Sequence, residues 1–141
     1  MKRAFTLVEI MIVVALIAVL ITLAVPGLFR SRLITQEATA IANLKILTNA
    51  CSYYLSNTGS FPATLTALSE TNPPYIDTTL ASGQKQKYQF EYLLVDADHF
   101  TIQASPLSTG LLKGRYFYVD EGGIIHVRQD GPAGPNDAIV G

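Results

Sequence analysis

From Phe5 to Phe29 the chain reads FTLVEIMIVVALIAVLITLAVPGLF, a run of 25 residues with one ionisable group, Glu9, and two hydroxyls, Thr6 and Thr22. At about 1.5 Å per residue such a helix reaches roughly 37 Å, enough to cross a hydrocarbon core of about 30 Å. It exceeds the apolar stretch of about 7–15 residues found in a secretory signal. Lys2 and Arg3 precede it, so the charge bias keeps Met1 in the cytoplasm and exports the residues beyond Arg30. Pro26-Gly27 interrupts the run near its outer end. Proline deletes the hydrogen bond to the Thr22 carbonyl, which predicts a kink or frayed turn there, with the Thr22 hydroxyl available to satisfy the freed groups. Arg30 and Arg32 mark the exit from the bilayer and snorkel to headgroups.

Beyond the bilayer the period persists but only on one side. Ile34, Ile41, Leu44, Leu47, Cys51 and Leu55 trace a helical stripe, with Glu37, Lys45 and Asn49 off it. Asn57-Thr58-Gly59 is a stop signal. One helix from Phe5 to Asn57 would hold 53 residues. Ala63–Leu68 has room for one or two helical turns, while Asn72-Pro73-Pro74-Tyr75 and residues 76–86 read as an irregular linking segment.

The period then changes to two. Tyr88, Phe90, Tyr92 and Leu94 alternate with polar residues; Phe100, Ile102 and Ala104 do so again after an Asp96-Ala97-Asp98 turn. Residues 106–114 form a wide turn, and 115–120 and 124–129 flank Glu121-Gly122-Gly123 as a hairpin. The pattern predicts an α+β fold: a long N-terminal helix packed on a small, mostly antiparallel sheet of about four strands. The tail GPAGPNDAIVG carries too much proline and glycine for an element.

Composition narrows the function more than the fold. The formal charge of −1 becomes −3 without Lys2 and Arg3, leaving 8 basic against 11 acidic residues. That balance gives no basic stripe for nucleic acid, and the sheet aromatics read as core. Cys51 is the sole cysteine, so no intrachain disulfide forms, and its place on the stripe makes it a small buried hydrophobe. His99 and His126 lie on separate strands without a second ligand at metal spacing or a nucleophile at a recognisable elbow. No catalytic constellation or cofactor motif is present, and the chain is not expected to be an enzyme.

Lys2-Arg3-Ala4 followed by Phe5-Thr6-Leu7-Val8-Glu9 resembles the leader and cleavage site of type IV pilins and type II secretion pseudopilins. The resemblance implies a leader, residues 1–4, cut between Ala4 and Phe5 by a prepilin peptidase, and N-methylation of the new terminus at Phe5. It implies that Glu9 pairs with the Phe5 amine of a neighbouring subunit as a filament assembles. The family usually has glycine before the cut, where this chain has Ala4. Tyr54, Gly59, Phe61 and Pro62 match a looser pattern of pseudopilin-like chains, tyrosine near the helix end followed by glycine and aromatic-proline; Phe61 would pack back on the helix. Pro26 falls where many pilins have a proline, implying local melting around Thr22, Pro26 and Gly27 on assembly.

Calcium enters through the same resemblance, since major pseudopilins as a group bind it near the C-terminus. Asp120, Glu121, Asp130 and Asp137 are candidate ligands, but the family's aspartate-proline-tryptophan-glycine stretch is missing and turn chemistry explains these carboxylates equally well. The expectation is therefore no metal.

The resulting expectation is a structural subunit of a type IV pilus or type II secretion pseudopilus. Residues 1–4 are leader, 5–29 the transmembrane and assembly helix, and 30–141 an exported head. Its partners are other copies of itself, the prepilin peptidase, the membrane assembly platform, minor pilins and, before assembly, the bilayer; nucleic acid is not expected. It sits in the bacterial inner membrane with its N-terminus cytoplasmic, then in a periplasmic or surface filament. The alternatives are a membrane-anchored binding or enzymatic domain, and a minor pilin for DNA uptake.

Overall fold

The structure, a computed structural model, describes residues 5–107 and 113–140. The chain divides into two compact units, Met1–Arg32 and Leu33–Gly141, and helix α1 (Leu7–Thr58) contributes to both.

In the first unit every described residue is exposed, apolar side chains included. The apolar run has the length and composition to cross a membrane. The helix continues through Pro26. The Thr22 hydroxyl donates to the Ala18 carbonyl at 2.9 Å, not to the group that Pro26 leaves unpaired.

The second unit is α+β, as the two periods predict. Its sheet has six strands rather than four: β1 (Gln84–Lys85), β2 (Tyr88–Leu94), β3 (Phe100–Pro106), β4 (Tyr116–Asp120), β5 (His126–Arg128) and β6 (Ala138–Ile139). They lie in chain order, each antiparallel to the next. The extra strands, β1 and β6, have two residues apiece, too few for alternation to register. Two expectations are thereby corrected. Residues 76–86 are not irregular throughout: they hold helix α3 (Thr78–Ala81), capped by Asp77 accepting from the Leu80 amide at 2.6 Å, and then β1. The proline-rich tail turns at Gly134–Asp137 and then pairs, Val127 facing Ala138. Its prolines precede the ladder and cost it nothing.

Alternation decides which sheet face is buried. Phe90, Ala104 and Phe117 stand in cross-strand register, as do Ile102 and Val119, and all five are buried with Leu44, Leu47 and Cys51 of α1. Helix α2 (Leu65–Ser69) adds Leu68 and α3 adds Leu80. The helical seam differs from the expected stripe. Ile34 is 59% exposed, whereas Glu37, Ala40, Asn43, Thr48 and Ala50 are buried. Counting only large apolar residues hid the small and polar members that let the helix lie close to the sheet. Phe61 stands edge-on to Phe100 of β3, ring centroids 4.8 Å apart, so its aromatic partner is in the sheet rather than on the helix. The Tyr92 hydroxyl donates to the Pro62 carbonyl at 2.7 Å and fixes the segment after α1 against β2.

Candidate functional site

The start of α1 is where the sequence concentrates its unusual chemistry. Thr6 immediately precedes the helix, and its hydroxyl accepts the Glu9 amide at 3.3 Å, while its carbonyl accepts the Ile10 amide at 3.3 Å. Threonine three residues ahead of glutamate is the sequence of a capping box. An amide left unmet in hydrocarbon costs several kcal/mol, so such a cap would matter more within a membrane than in water. Glu9 lies in the first turn, where the helix macrodipole presents about half a positive charge to a carboxylate. Phe5, one residue before the cap, is 75% exposed. A free amine at Phe5 would put a full positive charge on this same end. Ala4 and the rest of the leader lie outside the described residues. Gly27, beside Pro26, has open space where a side chain would stand.

The four calcium candidates are dispersed among turn roles. Asp120 accepts the Gly122 amide at 3.0 Å and Asp137 accepts the Gly134 amide at 2.8 Å. Arg128 approaches Asp137 at 3.9 Å; Glu121 lies 3.7 Å from His99; Asp130 is exposed in the turn after β5. Among the described residues no three of His, Cys, Asp and Glu gather as a group able to hold a metal ion.

His99 lies just before β3 rather than on a strand as the sequence predicted. Its Nδ1 meets Asp96 at 2.7 Å, and this hydrogen bond chiefly raises its pKa above the ordinary histidine value. Asp96 is lowered in turn, first by the Asp98 amide and then by His99. His126 Nδ1 lies 2.9 Å from the Asp137 carbonyl and ties β5 to the tail. Cys51 is fully buried, and burial pushes its thiol up to about 12, which makes it inert.

The sequence reading missed one polar site. Glu37 is only 8% exposed and grips Arg115 from both carboxylate oxygens: the Arg115 amide donates to Oε1 at 3.0 Å, while Nε and Nη2 approach Oε2 at 3.0 and 2.9 Å. The Tyr88 hydroxyl donates to the Arg115 carbonyl at 2.9 Å, closing the arrangement over β2. Burial first, then the Glu37 charge, raises the Tyr88 pKa. The available signal was that Glu37 precedes Leu44 by seven residues, two helical turns, and so shares its face.

Residues 1–25 match the family model for the prokaryotic N-terminal methylation motif. The chain thus carries the N-terminal motif implied by its resemblance to type IV pilins and type II secretion pseudopilins. It is similar to the type II secretion system core protein G of Escherichia coli (strain K12), 32% identical over 88 residues. That alignment covers 62% of this chain and 61% of the relative, so it spans about three fifths of the relative's length. No solved structure matches significantly.

Proposed function

We propose that this protein is a structural subunit that polymerises into a type IV pilus or type II secretion pseudopilus through its N-terminal helix. One observation carries the reading: a helix whose apolar, unburied N-terminal stretch has the length and composition to span a membrane begins with Thr6 capping the Glu9 amide within a matched methylation motif. A prepilin peptidase removes residues 1–4, cutting between Ala4 and Phe5, and Phe5 is methylated. The protein waits in the inner membrane, N-terminus inward and head exported, until an assembly platform adds it to other copies and minor pilins. Glu9 receives the Phe5 amine of a neighbour. Pro26 and Gly27, with Thr22, let the helix open locally as copies pack.

The exposed side of α1 supports this reading. Ile34, Ala42, Ile46 and Tyr53 are apolar yet exposed, away from the seam that meets the sheet, with exposed Lys45 and Asn49 among them. Apolar side chains left exposed on a helix have a use for a second partner, and the small Ala42 among them allows another helix to come close. The reading is tested by replacing the native copy with Glu9→Gln. The uncharged side chain eases membrane insertion but leaves a buried amine without its acid, a loss of about 3–5 kcal/mol. The expected result is a full or enlarged membrane pool and few filaments after shearing. Normal filament yield would sink the pairing.

A further inference from the structure

A cleft of about 540 Å³ in the second unit is lined by Gln36 of α1, Gln84 and Lys85 of β1, and Gln86 and Lys87 of the turn into β2. Thr79 of α3 adds a hydroxyl to the wall. Among the described residues no carboxylate lines it, although acidic residues outnumber basic ones in the chain. Lys85 is held by Asp77 at 2.6 Å, and Asp77 in turn caps α3. Lys87 is exposed.

The turn is built against local preference. Gln86 and Lys87 have φ of +48° and +70°, the two-residue hairpin geometry that favours Asn-Gly. Neither residue is suited to the left-handed region, and such strain collects where a binding role retains it. What these residues give the cleft, and Asn-Gly would not, is a long carboxamide and an ammonium. The approach behind them is equally constrained: Gly83 has φ +76°, and a Cβ there would meet the Phe90 carbonyl at 2.9 Å.

We propose that this cleft binds a phosphate-bearing ligand, with Lys87 supplying the charge and Gln36, Gln84 and Gln86 supplying amide donors. A tetrahedral oxyanion has several acceptor oxygens to meet donors arriving from different directions, and lysine serves phosphate as a point charge without needing a planar fork. The volume lies within the ordinary range for small-molecule sites and leaves room for the alcohol carrying the phosphate. A soluble phosphate ester and a lipid headgroup share this chemistry, and the two arms of the test tell them apart. This inference does not depend on filament assembly.

The test uses the full chain and follows hydrogen exchange of the amides at 84–88. One arm adds glycerol 3-phosphate in neutral detergent, against chloride at equal ionic strength. The other compares phosphatidylcholine nanodiscs with and without phosphatidylglycerol. Protection in the first arm identifies a soluble phosphate ester, and protection in the second alone a lipid headgroup. In either arm Lys87→Gln should weaken binding roughly tenfold or more, as a lost charge-assisted hydrogen bond requires. The double substitution Gln86→Asn with Lys87→Gly should raise the thermal midpoint and abolish protection. Protection in neither arm, equal protection by chloride, retention in Lys87→Gln, or no rise in midpoint for the relaxed turn would each overturn the proposal.

Discussion

At the scale of single residues, polar groups in apolar surroundings carry most of the specificity. Thr6 is expected to act through Glu9. Thr6→Val keeps the shape but removes the acceptor of the Glu9 amide, a cap contribution of about 1 kcal/mol, whereas Thr6→Ser keeps it. Faster exchange of the Glu9 amide in detergent-solubilised Thr6→Val, with Thr6→Ser unchanged, is the expected outcome; equal exchange in all three would show that the cap contributes nothing. Glu37 is expected to behave differently. Glu37→Ala leaves the Arg115 amide and guanidinium unmatched, but the Arg115 side chain is 42% exposed, so water repays part of the loss. A destabilisation of about 1–3 kcal/mol follows, below the range for a fully buried pair. Urea unfolding of Glu37→Ala, Arg115→Ala and the double variant measures the coupling directly; strict additivity of the two single effects would deny it.

At the scale of elements, the buried face of the sheet makes a prediction about alkali. Cys51 has its pKa raised from 9.0 to about 12 by burial, and Tyr88 and Tyr92 are raised above 10.0 mainly by the same cause. Each is neutral in the folded state over a range where the unfolded chain ionises. Their contribution is whole below pH 9, begins to fall as pH passes the unfolded cysteine value, and falls faster above the unfolded tyrosine value. Urea midpoints measured from pH 8 to 11 should therefore decline. Cys51→Ser should flatten the first part of that decline, at a packing cost of about 1–2 kcal/mol. A midpoint independent of pH would contradict the burial. The same elements show how far the sequence could be read. Strands β2 and β3 were visible because Tyr88, Phe90, Phe100 and Ile102 alternate over enough residues to define a face, and the β4–β5 hairpin because its strands flank Glu121-Gly122-Gly123. Strands β1 and β6 were hidden because two residues have no period, and their pairing is set by β2 and β5 instead. At the candidate site, Glu9 stood out as the one charge in an apolar run. Glu37 did not, because it sits among ordinary polar residues and its partner Arg115 is 78 positions away.

At the scale of the whole molecule, the two units make different demands. Leu33–Gly141 contains the buried core cluster, and a fragment beginning at Leu33 should unfold cooperatively in urea with the same midpoint with or without reductant. A midpoint that drops under reductant would reveal a disulfide between copies. The sheet has a consequence for crowding when many heads stand side by side. Its outermost strands are its shortest, two residues each at both margins, and one follows the Pro132–Pro135 segment. Such margins offer another chain almost no free backbone to template on. The head can therefore be crowded against other copies without zipping into a continuous β ribbon.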